Sequence, residues 1–133
     1  MKLEHIGIAV KDMEAAEKLY TCLLNTPVYK REAVASEGVH TSFFRTGESK
    51  IELLEATSEE SPIAKFLSKR GEGLHHIAFE VEDIYQEMDR LKQEGFRLLN
   101  EAPKKGADNK LVCFVHPKDC SGVLLEICQS IRS

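Results

Sequence analysis

Two histidines and two glutamates stand in a pattern that can hold a metal ion. His5 opens the stretch His5-Ile6-Gly7-Ile8-Ala9-Val10-Lys11-Asp12, and His76 opens His76-Ile77-Ala78-Phe79-Glu80-Val81-Glu82-Asp83, 71 residues later. Each copy is followed by one acidic residue inside an apolar run. Glu52 stands in Ile51-Glu52-Leu53-Leu54, 47 residues after His5, and Glu126 in Leu125-Glu126-Ile127, 50 residues after His76. A lone carboxylate in an apolar strand is costly to bury unless something compensates its charge. A divalent cation shared with two imidazoles compensates both at once. Two neutral imidazole nitrogens and two carboxylate oxygens suit Zn, Co, Ni or Mn, with positions left for water or substrate. The set contains no thiolate, which disfavours a closed structural zinc site.

The elements that must position these four residues also repeat. Ile6, Ile8 and Val10 alternate with His5, Gly7 and Ala9, and Ile77, Phe79 and Val81 alternate with His76, Ala78 and Glu80. Alternation of this kind is the mark of a strand with two unlike faces. The branched and aromatic face gains most from burial against a helix. The opposite face sets a histidine beside the smallest residues, which suits a cleft better than a core. Asp12 and Asp83 each follow such a strand as helix N-caps. Gln86, three residues after Asp83, has capping-box spacing, whereas Ala15 in the first copy does not. The periodicity marks Met13, Ala16, Leu19, Tyr20 and Leu23 as one helical face, and Ile84, Met88 and Leu91 as the other helix's stripe. Asn25-Thr26-Pro27 ends the first helix and Gly95 the second. Strands are predicted near 28–33, 39–46 and 49–56, with a turn at Gly47, and again near 96–100, 111–116 and 123–128. Each half therefore reads β-α-β-β-β. Between the halves, Ser61 as N-cap and Pro62 at the first helical position predict a short helix docked by Ile63, Phe66 and Leu67.

The chain of 133 residues reads as one domain: module one about 1–57, a connecting helix about 58–72, and module two about 73–130. A net charge of -4 without a basic, aromatic-interleaved stripe speaks against a nucleic-acid partner. No apolar run approaches the ~20 residues of a membrane helix, so no membrane partner is expected. The first strand begins at Leu3, leaving no room for a targeting peptide, and a cytoplasmic location is expected. Cys22, Cys113, Cys120 and Cys128 form no C-x-x-C pair and read as free thiols. His75 falls on the face opposite His76 and reads as structural. His40 lies outside the repeated positions and receives no role.

The ordered set His5, Glu52, His76, Glu126 resembles the vicinal oxygen chelate superfamily, over nearly the whole chain. Within it, three further stretches are similar to the methylmalonyl-CoA epimerases: Ser61-Pro62-Ile63-Ala64-Lys65-Phe66-Leu67, Gly73-Leu74-His75-His76-Ile77, and the ending Phe114-Val115-His116-Pro117-Lys118-Asp119-Cys120-Ser121-Gly122-Val123-Leu124-Leu125-Glu126. The resemblance implies an α+β fold, two β-α-β-β-β modules forming an eight-stranded, half-open cleft. It implies a divalent metal held by His5, Glu52, His76 and Glu126, a CoA-thioester substrate, and a homodimer. The implied reaction is epimerisation at C2 of methylmalonyl-CoA through a metal-stabilised enolate, an isomerase chemistry needing two acid/base groups. Glu126 is the stronger candidate and Glu52 the weaker. Some family members carry a further glutamate near position 41 as second base. This chain has Thr41, which cannot be a general base near neutral pH, and Glu37 stands too near a turn to replace it. For the CoA phosphates, Lys104, Lys105, Lys110 and Lys118 cluster in the second half and offer point charges, with Lys110, Lys118 and His116 as the substrate candidates. Any one of these lysines reads more readily as a solvated surface residue, and His116-Pro117-Lys118 equally as a strand-ending turn. The alternative enzyme is lactoylglutathione lyase, glyoxalase I, whose bacterial forms share the ligand set. A ring-cleaving dioxygenase fits less well, because its iron usually takes two histidines and one carboxylate. A metal-free small-molecule binding module of the same fold predicts gaps in the ligand set, and this chain has none.

Overall fold

In a computed structural model that describes residues 1–132, the chain falls into two compact units. One unit is His5–His75; the other joins Met1–Glu4 to the chain from His76 onward. The elements in chain order are β1 (Lys2–Ala9), α1 (Met13–Leu24), β2 (Lys30–Val34), β3 (Val39–Thr46), β4 (Ser49–Ala56), α2 (Pro62–Arg70), β5 (Gly73–Glu80), α3 (Ile84–Gln93), β6 (Lys104–Lys105), β7 (Lys110–Val115) and β8 (Leu125–Ser130).

The two units share one plan. In the first the strands run in the order β2-β3-β4-β1, and in the second β5-β8-β7-β6. The first and last strands of each plan pair parallel, β1 with β4 and β5 with β8. The other pairs are antiparallel. A parallel pair needs a crossover, and α1 and α3 provide it.

Local sequence explains the helix limits. Asp12 Oδ1 accepts from the Ala15 N–H at 3.2 Å, and Asp83 Oδ1 from Gln86 N–H at 3.1 Å. Ser61 Oγ does the same for Ala64 N–H at 3.1 Å, with Pro62 as the first helical residue. Asn25, at φ 51°, closes α1 in the left-handed conformation that asparagine tolerates. Gly95, at φ 95°, lets the Phe96 N–H turn back to Leu91 O at 2.9 Å, ending α3.

Burial follows from those limits, with one correction to the expected face of α1. Ala16 is buried with Val10, Phe44 and Leu53, and Met13, Tyr20 and Leu24 pack around them. Leu19 and Leu23 instead face solvent, at 60% and 69% exposure. Leu24 completes the i, i+4 row from Tyr20 and displaces Leu23 from the core stripe. In the second unit Ile84, Met88 and Leu91 pack on Cys113, Val115 and Ile127, as their spacing predicts. Helix α2 covers the other face of the first unit, where Ile63, Phe66 and Leu67 meet Ala9, Val39 and Leu54.

The strand expected near 96–100 is not formed. That segment touches β7 through one bridge, Leu98 to Val115, and the paired strand there is the short β6. The reason is local. The Asn100 side-chain oxygen accepts the Phe114 N–H at 2.9 Å, taking the donor that a continuing ladder needs. Pro103 follows with no N–H of its own.

Candidate metal centre

In the first unit, β1 supplies His5 and β4 supplies Glu52. The parallel register sets Gly7 beside Glu52. Gly7 carries no side chain beside that glutamate. His5 Nδ1 lies 2.8 Å from Glu52 Oε2, and both residues are buried, at 5% and 4% exposure. The second unit repeats this with another small residue: Ala78 is the register partner of Glu126. His76 Nε2 lies 3.6 Å from Glu126 Oε1, again with both residues buried. Each unit thus buries one imidazole against one carboxylate, as the repeat predicts.

The repeat extends to residues that the sequence reading passed over. Phe43 is paired with Glu52 across β3–β4, and Phe114 with Glu126 across β7–β8. Each phenyl ring carries an ammonium: Lys30 Nζ lies 5.4 Å from the Phe43 centroid, and Lys104 Nζ 5.8 Å from that of Phe114. The Phe114 ring also meets His76 edge-on, at 6.1 Å and 89°.

The chemistry of the donor set fits a divalent cation bound by nitrogen and oxygen. The nearest candidate for a thiolate is Cys128, on the same strand face as Glu126. Burial pushes its pKa strongly up, and the Glu126 and Glu4 carboxylates push it further, with Lys110 opposing them. It stays a thiol and a poor ligand.

The remaining sequence candidates lie as follows. Thr41 is buried one pleat from Glu52, and its hydroxyl has no hydrogen-bond partner among the described residues. Glu37 ends a 3₁₀ turn, Ala35–Glu37. His75 is packed edge-on against Phe66 of α2 at 4.9 Å, and burial lowers its pKa to about 4, so the ring is neutral. His40 is exposed. Lys110 is buried: its Nζ donates to Ser130 Oγ at 2.8 Å and lies 3.9 Å from Glu4 Oε2, so the ammonium is engaged inside the unit. His116 Nδ1 accepts the Lys118 N–H at 3.1 Å across the 3₁₀ turn Pro117–Asp119, while the Lys118 side chain reaches solvent.

The profile of the Glyoxalase/Bleomycin resistance protein/Dioxygenase superfamily matches residues 4–114. The chain belongs to that superfamily. Within it, the chain is 45% identical to the ethylmalonyl-CoA/methylmalonyl-CoA epimerase of Cereibacter sphaeroides, over 95% of this chain and 96% of that one. It is 42% identical to the mitochondrial methylmalonyl-CoA epimerase of Homo sapiens, over 97% of this chain and 74% of that one. A variant of Streptomyces coelicolor methylmalonyl-CoA epimerase, solved with 2-nitronate-propionyl-CoA, superposes with a TM-score of 0.94 at 35% identity, covering 99% of each chain. This glyoxalase-superfamily chain accordingly stands among the epimerases, a class of isomerases. The α+β fold of paired β-α-β-β-β modules is the one expected.

Proposed function

We propose that this protein epimerises methylmalonyl-CoA at C2, using a divalent metal held by His5, Glu52, His76 and Glu126. The observation that carries the reading is the repeated buried pair, His5 with Glu52 and His76 with Glu126, in a chain whose relatives are methylmalonyl-CoA epimerases. When bound, the ion supplies positive charge to the neighbouring carboxylate and thioester oxygens of the substrate, where negative charge develops as C2 loses its proton. The chain's own residues do the rest. Glu126 takes the C2 proton on one face, and Glu52 serves the other face, so that removal and return occur on opposite sides. Thr41 takes no part in the proton transfer, because a hydroxyl of ordinary acidity cannot hold that proton near neutral pH. Phe43 and Phe114 flank the two carboxylates and keep water from them, which strengthens every charge interaction there.

The test is deuterium exchange at C2 of methylmalonyl-CoA in D2O, with purified protein before and after chelation. Metal-dependent exchange accompanied by scrambling of configuration is expected. A metal-loaded protein that leaves C2 unexchanged, yet converts the methylglyoxal–glutathione hemithioacetal, would move the assignment to lactoylglutathione lyase. A protein that binds no metal would leave the binding-module reading.

A further inference from the structure

We propose that the Thr41 hydroxyl donates a hydrogen bond to the free carboxylate of the substrate, making the site selective for malonyl-type thioesters over simple acyl thioesters. This rests on the epimerase reading and adds a binding residue to it. On β3 the alternate residues Val39, Thr41 and Phe43 share one sheet face. Their register partners on β4 are Ala56, Leu54 and Glu52. Val39 and Leu54 belong to the apolar cluster that Ile63 of α2 joins, whereas Phe43 stands opposite Glu52. Thr41 therefore lies at the border between that core and the His5–Glu52 pair, with Glu52 as its diagonal neighbour. It is 1% exposed, against 4% for Glu52 and 5% for His5, so a substrate group that reaches those ligands reaches the same depth.

The second unit shows that packing does not call for a hydroxyl at this position. There β7 carries Val112 two residues before Phe114, and Phe114 stands opposite Glu126 as Phe43 stands opposite Glu52. Val112 is buried as well, at 5% exposure. Valine and threonine share a branched shape and differ by a methyl group against a hydroxyl. Where the second unit has the methyl, the first has a donor, and that donor meets no hydrogen-bond partner among the described residues. An unmade hydrogen bond in the interior destabilises the folded chain. A buried hydroxyl that gives folding nothing points to an acceptor that arrives with the substrate.

The substrate carries such an acceptor. Its free carboxylate has two oxygens, and chelation together with the neighbouring thioester oxygen needs only one of them. The other is an ionised acceptor, and a hydrogen bond to it is of the stronger, charge-assisted kind in a site shut off from water. Two points of attachment stop the carboxylate from turning about its bond to C2, which fixes the direction of the C2 proton. The hydroxyl does this while keeping its own proton, so Thr41 stays outside the proton transfer. A thioester without the carboxylate offers the hydroxyl nothing at that place.

The test uses the metal-loaded full chain, with Thr41→Val to keep the shape and drop the hydroxyl, and Thr41→Ser to keep the hydroxyl. The valine variant copies the residue that the second unit packs at the matching position. Affinities for methylmalonyl-CoA and for propionyl-CoA, which lacks the carboxylate, are measured by titration calorimetry at saturating metal. Thr41→Val is expected to weaken methylmalonyl-CoA binding about tenfold while leaving propionyl-CoA within about twofold, and Thr41→Ser to stay within about threefold of the wild type for both. Equal losses for both thioesters would make Thr41 a packing residue or place its hydroxyl on the shared CoA portion, and no loss for either would leave the hydroxyl without a ligand. Both results overturn the proposal. A wild type that binds neither thioester overturns the epimerase reading, and this proposal with it. A wild type that exchanges C2 deuterium, but whose affinity is unchanged by Thr41→Val, overturns only the role of Thr41.

Discussion

The two glutamates do unlike work in the proposed reaction while occupying like places. Glu52 and Glu126 are both buried, both paired with a histidine, and both flanked by a phenylalanine. Glu126→Gln keeps an oxygen donor while removing the group that accepts the proton. It is expected to slow C2 exchange by about 10²–10⁴-fold even at a metal concentration that restores full occupancy, as read by exchange rate and metal analysis together. A rate within about threefold of the wild type would exclude Glu126 as the base. The thiols offer an independent check on burial in the same strands. Cys22 is exposed, whereas Cys113 and Cys128 are buried with their pKa values pushed up. Native protein treated with iodoacetamide at pH 8 is expected to label Cys22 and to spare Cys113 and Cys128 until it is unfolded, as mapped by peptide mass spectrometry. The two His–Glu pairs were legible in the sequence because they repeat at nearly constant separation. Phe43 and Phe114 were not, because they stand at different distances before their glutamates. Gly47 and Glu48 make the tight turn between β3 and β4, while residues 116–124 connect β7 to β8. Only the register of each pair shows that the two rings hold one position.

Among the elements, caps and periodicities were legible and pairings at the edges were not. Asp12, Ser61 and Asp83 mark helix starts by a local hydrogen bond that depends on nothing distant. The segment near 96–100 has strand composition, but side-chain hydrogen bonds fix it, one made by its own Asn100 and the others made to Asp119. Asn100 takes the Phe114 N–H, and Asp119 accepts from the Arg97 N–H, Nε and Nη2 at 2.8, 3.1 and 2.9 Å. Those bonds anchor the chain after α3 to the 3₁₀ turn before β8. They also make a pH prediction. The Arg97 side chain lowers the Asp119 pKa from 3.8 to about 2, by hydrogen bonding first. A folded-state value below the unfolded one gives stability that is full above about pH 4 and lost as pH falls through about 2. Arg97→Gln is therefore expected to melt below the wild type at pH 5 in low salt, with the gap closing between pH 4 and 2. A gap that stays constant across that range would exclude the ion pair as its source. The exposed Leu19 and Leu23 mark the other limit of periodicity, since an apolar stripe can drift by one residue and only packing decides which edge is buried.

At the scale of the whole molecule, the repeat makes a claim that neither unit makes alone. If the two His–Glu pairs serve one ion, metal binding stabilises the chain as a unit, and loss of either pair removes most of that gain. A ligand that binds only the folded state adds about 2.7 kcal/mol at a hundredfold excess over its dissociation constant. Thermal melts of the chelated protein are accordingly expected to rise by several degrees when Zn, Co, Ni or Mn is added, in a concentration-dependent way. Glu52→Gln in the first unit and Glu126→Gln in the second should each shrink that rise by a similar amount, although the residues are 74 positions apart in sequence. A rise that survives one substitution and disappears with the other would mean that one pair holds the ion by itself. The shared site would then fail, and the duplicated pair would have a structural role in one unit and a chemical role in the other.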